Sequence, residues 1–287
     1  MSEDSPKEET KGKLEQLIDK EGITLKEAET LLKSSRKKPS ATIHLSFPSK
    51  HIKYAYMSDT HIGHLKFSDE LYEKFVQTCK REGVDFVVHP GDHLEGMSGR
   101  PGHIYELSEI GFQNQIAKAQ DLYRQIPVPI YGIDGNHDQW YFNKNNGGMV
   151  VGKELEARVN NYHHLGQDEG DLELAPGITI KLFHGNDGAA YATSYKLQKL
   201  IESFSESEKP AILHSGHYHK ALYMYLRGIH GFESGTLCAQ SKFMRGKKIA
   251  ANMGFGVVDV FYDKKGIDRI DHTFTGYEPP LPKVTKR

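Results

Sequence analysis

Apolar runs that end in polar clusters recur along this chain, and they define most of its predicted elements. Strands are predicted over 41–47, 52–57, 84–89 and 128–133, with helices over 68–81 and 104–125 between them. Because strand, helix and strand alternate here, this half of the chain predicts βαβ units in a parallel sheet.

The second half of the chain has strand-like runs that follow one another closely. They lie at 178–183, 211–213, 222–226, 256–262 and 267–272. Few helical patterns separate them, which predicts a second sheet that packs on the first. We therefore predict an α/β fold, built as a two-sheet β-sandwich flanked by helices.

The first 40 residues differ from the rest of the chain. Two short helical patterns meet at Gly22, and Thr24 with Glu27 forms a capping box at the start of the second one. They predict an N-terminal helical appendage over 1–40, similar to the start of a helix-turn-helix, followed by one domain over 41–287. Docking of a protein partner or a packing role is favoured for the appendage, and contact with nucleic acid is the alternative.

Composition excludes several classes of protein. The 37 basic and 38 acidic side chains leave a net charge of -1, so any basic surface for nucleic acid must be local. Cys79 and Cys238 are too few for a disulfide framework or a thiolate zinc site. No signal-peptide pattern and no apolar run of about 20 residues is present, so we expect a cytoplasmic protein without membrane association.

Five predicted strands end in clusters of aspartate, asparagine, histidine and glycine. The clusters are Asp59-Thr60-His61, Gly91-Asp92, Gly135-Asn136-His137-Asp138, His184 and Gly216-His217-Tyr218-His219. The carboxyl ends of parallel strands meet at one edge of a sheet, so these clusters are expected to form one site. Residues i and i+2 of an extended segment point the same way, which lets both members of each spaced pair face that site.

Seven side chains in these clusters are candidate metal ligands. They are Asp59, His61, Asp92, Asn136, His184, His217 and His219. One tetrahedral zinc needs four ligands, so seven predict two divalent cations with a bridging carboxylate and positions left for water. Oxygen and imidazole donors suit manganese, iron, zinc or nickel, and we expect manganese. Any one of these residues alone also fits a packing or surface role.

The order of these motifs resembles the calcineurin-like metallophosphoesterase superfamily, from about Tyr54 to His219. The resemblance implies a four-layer fold, in which a two-sheet sandwich with flanking helices holds two metals. It divides the ligands into Asp59, His61 and His219 for the first metal, Asn136, His184 and His217 for the second, and Asp92 as the bridge. His137 matches the catalytic histidine of the family, and Asp138 is expected to orient it by accepting its other ring proton.

The resemblance implies hydrolysis of a phosphate ester by an activated hydroxide, with His137 as proton donor to the leaving oxygen. The protein phosphatase branch of the superfamily has Gly-Asp-x-x-Asp-Arg-Gly, whereas this chain reads Gly-Asp-His-Leu-Glu-Gly over 91–96 and lacks the arginine. That departure argues against a phosphoprotein substrate. His93 and Glu95 fit either a supporting position behind the ligands or plain packing.

Three features favour a nucleic-acid substrate. Arg100 follows the second cluster in a glycine-rich loop, and Trp140 follows the third, where an aromatic ring can stack on a base or pack in the core. Lys242 and Arg245 belong to a basic run that can follow a phosphate backbone or form a solvated loop. We expect a nuclease acting on DNA or RNA, similar to the DNA-repair exonuclease branch. The alternatives are a small-molecule phosphodiesterase for cyclic nucleotides and a metal-binding accessory subunit of a replication or repair assembly.

Overall fold

Two six-stranded sheets pack face to face in the computed structural model, which describes residues 42–47, 50–142, 148–188 and 190–278. The predicted appendage over 1–40 lies outside the described residues. The strands in chain order are β1 (Ile43–His44), β2 (His51–Tyr56), β3 (Phe86–His89), β4 (Ile130–Ile133), β5 (Tyr162–Gly166), β6 (Glu169–Ala175), β7 (Ile178–His184), β8 (Ile212–Gly216), β9 (Ala221–Leu226), β10 (Ile229–Ser234), β11 (Gly254–Asp263) and β12 (Gly266–Gly276).

Helices lie between the strands and cover the sandwich. They are α1 (Asp69–Glu82), α2 (Phe112–Tyr123), α3 (Val151–Arg158), α4 (Tyr195–Ser203) and α5 (Lys242–Gly246), with short 3₁₀ helices at His103–Glu106 and Asp138–Tyr141. In the described parts of the chain, no helix is long and apolar enough to cross a membrane.

The first sheet has the strand order β12-β11-β2-β3-β4-β5, in which β2 to β5 are parallel and β11 pairs antiparallel with both neighbours. The second has the order β1-β6-β7-β8-β10-β9, with β7, β8 and β10 parallel. This arrangement confirms the predicted α/β sandwich of two sheets.

An apolar core fills the space between the sheets. Strands β6 and β7 alternate between buried and partly exposed positions, which is the pattern of a strand with one covered face. Burying an aliphatic or aromatic side chain contributes about 1.5–3 kcal/mol, so this core holds the two sheets together. Its fully buried members include Ile52, Tyr54 and Phe86 from the first sheet and Leu172, Ile180 and Phe232 from the second.

Helix α1 shows how local sequence sets the boundaries of an element. The Ser68 side chain accepts a hydrogen bond from the Leu71 amide at 3.2 Å and caps the first turn. Gly83 ends the helix in the left-handed conformation, with φ of 60°. The buried face of α1, which includes Phe75, packs on the first sheet. These boundaries agree with the predicted helix over 68–81.

The predicted helix over 104–125 is wrong in its first half. A 3₁₀ helix occupies His103–Glu106, and α2 begins only at Phe112. Between them the amides of Ser108 and Glu109 donate to the Gly63 carbonyl, and Gly111 has φ of 85°. Both features are incompatible with a continuous helix, because the amides are used elsewhere and a left-handed residue breaks the turn.

The sequence did not predict six elements of the second half, which are α3, β5, β6, α4, β10 and α5. Strand β6 shows the reason, since Leu172 and Leu174 alternate with acidic residues on its less buried face. A single pair of leucines is too short a pattern to be recognised without its partner strands.

Candidate metal centre

All seven predicted ligands lie at the carboxyl ends of strands or just beyond them. Asp59 and His61 follow β2, Asp92 follows β3 and Asn136 follows β4, while β7 ends at His184. Beyond β8 come the remaining two, His217 and His219. Five of the seven line one cleft of about 650 Å³, and the other two, Asp59 and His184, are buried behind it.

The first group of donors consists of Asp59, His61 and His219. The Nε2 atoms of the two histidines lie 2.9 Å apart, and that of His219 lies 3.3 Å from Oδ1 of Asp59. The Asp92 Oδ2 atom lies 3.8 Å from Nε2 of His61. One ligand atom from each member of the first group falls within 4.8 Å of the others, as a shared cation requires.

The second group surrounds Asn136. Its Oδ1 atom lies 2.8 Å from Nδ1 of His217 and 3.0 Å from Nε2 of His184. The same His184 nitrogen lies 3.3 Å from Asp92 Oδ2. Asp92 therefore contacts both groups, which is the position expected for a bridging carboxylate.

The hydrogen bonds behind the histidines test whether these residues fit a metal. His184 donates from Nδ1 to the Pro90 carbonyl at 2.7 Å, and His217 donates from Nε2 to the Asp187 carbonyl at 2.8 Å. In each neutral ring the other nitrogen then presents a lone pair to Asn136 Oδ1, which is also an acceptor. Two facing acceptors need a cation or an extra proton between them, so the arrangement fits bound metal.

Nearby carboxylates stabilise such an extra proton on two rings of the site, His184 and His137. Burial disfavours a charged ring, but Asp92 outweighs it and raises the pKa of His184 to about 9. Against the same burial, Asp92 and Glu95 raise the pKa of His137 to about 10. Burial also opposes ionisation of Asp92, yet the His184 and His137 rings hold the pKa of Asp92 well below its usual value.

The backbone of the ligand loops is strained. Seven non-glycine residues of the described chain have positive φ, and five of them are predicted ligands: Asp59, His61, Asp92, His217 and His219. Such conformations cost about 1–3 kcal/mol each and persist only where the surrounding structure holds them. Hydrogen bonds between loops do so here, since the amides of Asp59 and His61 donate to the carbonyls of Gly91 and Asp92.

Glycines allow the loops to approach one another closely. A Cβ atom on Gly135 would overlap the Asp92 side chain and backbone, and one on Gly91 would overlap the His184 ring. Gly91 also has φ of 97°, a conformation that other residues rarely adopt. The glycines beside the ligands are therefore part of the site.

The expectation that Asp138 orients the His137 ring is wrong. The Asp138 carboxylate accepts hydrogen bonds from the amides of His93, Leu94 and Gly135, at 2.9–3.0 Å. It thus joins the loop after β3 to the loop after β4. The sequence could not separate these roles, because a residue next to a histidine can turn toward the ring or toward the backbone.

Glu95 takes the position that the sequence suggested for Asp138. Its carbonyl accepts from Nδ1 of His137 at 2.9 Å, and its Oε2 atom lies 3.5 Å from the same nitrogen. Oε2 also lies 2.9 Å from Nδ1 of His61, and Oε1 lies 2.7 Å from Nε2 of His103. This buried carboxylate therefore connects a predicted ligand with the predicted catalytic histidine.

The sequence left two roles open for Glu95, support of the ligands or plain packing, and gave no role to His103. The spacing of Glu95, three residues after Asp92, was the available signal, whereas His103 stands in a loop with no motif around it. His93 has a packing role instead, because its ring bonds the hydroxyls of Tyr123 and Tyr162 at 2.7 and 2.8 Å.

The predicted substrate-binding residues separate into two groups. Arg100 and Trp140 line the cleft, and the Trp140 ring packs on the His137 ring with centroids 3.9 Å apart. Lys242 and Arg245 are exposed on α5 and are not among the described residues that line the cleft. Other side chains of that segment line it, namely Phe243, Met244, Lys247 and Ile249.

Comparison with known proteins gives sequence relatives and a structural neighbour. The small subunits of DNA polymerase II from Methanothermobacter thermautotrophicus and Archaeoglobus fulgidus are 24% and 25% identical, over 245 and 250 residues. These alignments cover 70% and 72% of this chain, which spans about half the length of each relative. A solved archaeal phosphodiesterase is 15% identical, with a TM-score of 0.47, over 79% of this chain and 100% of its own.

The family itself is given by a match over most of the domain. Residues 52–251 match the model of the calcineurin-like phosphoesterase superfamily domain, a range that contains every predicted ligand. The chain therefore belongs to the calcineurin-like phosphoesterase superfamily.

Proposed function

We propose that this chain is a metal-dependent phosphodiesterase that hydrolyses nucleic acid. The observation that carries this proposal is that five of the seven predicted ligands and His137 line one cleft, while Asp59 and His184 are buried behind it. Asp59, His61 and His219 would hold one divalent cation, Asn136, His184 and His217 a second, and Asp92 both. When bound, such a pair offsets negative charge on a phosphate and lowers the pKa of a water molecule.

His137 is the proton donor to the leaving oxygen. Its Nδ1 atom is fixed by the Glu95 carbonyl, so Nε2 is the nitrogen that can reach a substrate in the cleft. Burial opposes a charged ring, but Asp92 and Glu95 raise the pKa of His137 to about 10, which favours the protonated form that a general acid requires. The T-shaped contact with His61 and the packing of Trp140 hold the ring in place.

The shape and charge of the cleft support a nucleotide-containing substrate. A volume of about 650 Å³ lies within the range of sites for nucleotide-sized molecules. Trp140, Phe243 and Met244 give the wall apolar surface for bases, while Arg100 and Lys247 bring positive charge to phosphates. Relatives that are small subunits of a DNA polymerase support the same class of substrate.

A second candidate function is a metal-binding accessory subunit without turnover. The relatives named as DNA polymerase II small subunits favour it, and the helices predicted over 1–40 would then dock the partner. The two candidates differ in one measurable property, which is hydrolysis of a phosphodiester by the isolated chain.

The experiment compares single-stranded DNA, duplex DNA, RNA and cyclic nucleotides as substrates with manganese present. We expect hydrolysis of a nucleic acid by the wild type and a loss of about 10²–10⁴-fold in turnover for His137→Ala, the scale of general acid catalysis. His44→Ala, on the exposed edge strand β1, is the control and should keep full turnover.

Metal content after dialysis completes the comparison. His137→Ala should retain the cations of the wild type, because this ring is outside the predicted ligand set. Unchanged turnover in His137→Ala contradicts the assigned proton donor. A wild type that holds two cations but cleaves none of the four substrates supports the accessory subunit instead.

A further inference from the structure

An ion pair lies in the wall of the cleft beyond the predicted ligands. Arg100 donates to Glu106 through both terminal nitrogens, with Nη2 2.8 Å from Oε2 and Nη1 3.4 Å from Oε1. Both side chains line the cleft and are partly exposed, at 34% and 22%. A guanidinium with this bidentate geometry can bind either a phosphate or a carboxylate.

A buried histidine points to the same carboxylate. The Nδ1 atom of His64 accepts a hydrogen bond from the Lys66 amide at 2.8 Å, so the proton of the neutral ring is on Nε2. That nitrogen lies 3.7 Å from Oε2 of Glu106. The His64 side chain is 5% exposed and lines the cleft, which makes it a fixed donor rather than a mobile surface group.

An aromatic ring completes this part of the wall. The Arg100 guanidinium lies over the Phe243 ring, 4.6 Å from its centroid, and 44% of Phe243 is exposed. Lys247, one turn further along the same segment, also lines the cleft. A cation stacked on an exposed aromatic ring is a surface on which nucleic-acid bases stack.

We infer that Arg100 and His64 form a subsite for a second phosphate of a polynucleotide substrate, and that Glu106 occupies this subsite in the free protein. The inference rests on the proposed function and adds a requirement to it: the preferred substrate carries a phosphate next to the scissile one. A cyclic mononucleotide has no such group. A substrate phosphate can displace the Glu106 carboxylate, because that carboxylate is partly exposed and the same donors would bind the phosphate in its place.

The test uses three dinucleotides with the same scissile bond. Thymidylyl-thymidine, TpT, has no terminal phosphate, whereas pTpT and TpTp carry one at the 5′ or 3′ end. For the wild type we expect KM for at least one phosphate-bearing substrate to be about tenfold below that for TpT, the scale of a charge-assisted hydrogen bond. In Arg100→Ala this KM ratio should fall to about one.

Removing the competing anion should act in the opposite direction. Glu106→Gln should increase the KM ratio between TpT and the preferred phosphate-bearing dinucleotide, because Arg100 no longer holds an internal carboxylate. Glu109→Gln is the matched control, since it removes an equal charge three residues away. Arg124→Ala, at the end of α2, is the control for loss of an arginine. Both controls should keep the wild-type ratio.

Binding provides a readout that does not depend on turnover. Trp140 is the single tryptophan of the chain and lines the cleft, so its fluorescence reports occupancy. Chelator-treated protein is titrated with TpT, pTpT, TpTp and a cyclic mononucleotide. Equal affinity for the three dinucleotides, unchanged in Arg100→Ala, would overturn the subsite, as would preference for the cyclic compound. Absence of hydrolysis with tighter binding of pTpT or TpTp refutes the phosphodiesterase proposal and leaves the subsite standing.

Discussion

Replacing Glu95 by glutamine tests how far His137 depends on a buried negative charge. Glutamine keeps the shape of the side chain and its contact with the neighbouring rings but removes the charge. In the structure, Oε2 of Glu95 lies 3.5 Å from Nδ1 of His137 and 2.9 Å from Nδ1 of His61. The backbone carbonyl that accepts from His137 is unaffected by the change.

The magnitude follows from the distance. Opposite charges about 3.5–4 Å apart interact with about 4 kcal/mol at an effective dielectric constant of about 20. Since about 1.4 kcal/mol corresponds to one pKa unit, loss of this charge brings the pKa of His137 from about 10 down toward neutrality. A general acid must be protonated, so activity is lost as pH rises through its pKa. The substitution therefore moves this loss to lower pH.

The assay is kcat for a dinucleotide from neutral pH to the alkaline range. We expect Glu95→Gln to lose activity near neutrality, where the wild type is still active, and to lose about 10–100-fold in kcat at its optimum, as for residues that support metal ligands. Glu95→Asp keeps the charge and should restore the alkaline activity in part. Superimposable pH profiles for wild type and Glu95→Gln, at equal metal content, would refute the reasoning.

Three further predictions concern the metal centre itself. Asp92→Asn should hold fewer than two cations after dialysis, measured by elemental analysis, because Asp92 contacts both donor groups; retention of two contradicts its bridging position. Gly135→Ala should lose metal in the same assay, since its Cβ overlaps Asp92, whereas Gly99→Ala, with open space around it, should not. Metal binding at pH 7 should release protons and strengthen up to about pH 9, because the pKa of His184 is raised to about 9 and a ligand ring must be neutral. Calorimetry in buffers of different ionisation enthalpy measures this release, and equal heats in all of them would contradict it.

The sequence predicted the parts of this protein that depend on short-range pattern. Strand periodicity and the polar clusters at strand ends were sufficient for the two-sheet fold and for the convergence of side chains as distant as Asp59 and His219. The prediction failed where tertiary contacts determine the local structure, as in the predicted helix over 104–125. The amides of Ser108 and Glu109 bond to the Gly63 carbonyl and end the helical pattern, and nothing local in the sequence marks that partner.

The orientation of side chains was the second limit of prediction from the sequence. Asp138 follows His137 in the sequence and Glu95 follows Asp92, and the sequence gives no means to decide which of these two acidic residues faces the His137 ring. The structure decides through the backbone, because the Asp138 carboxyl oxygens already accept hydrogen bonds from three amides and so join two loops. Glu95 faces three histidines in a buried position, where an unpaired carboxylate would be costly.

The strained ligand loops explain why motif and fold depend on each other. A left-handed conformation at Asp59 or His61 is unfavourable in a short peptide, so the motif alone does not produce the ligand geometry. The rest of the fold imposes this conformation. The backbone amides of both residues donate hydrogen bonds to the loop after β3, and the Thr236 hydroxyl donates to the Asp59 carbonyl. Each loop is thus held by the others, and the donors reach their positions only when both sheets have formed. A change in any one loop is therefore expected to disturb ligands on its neighbours as well as its own.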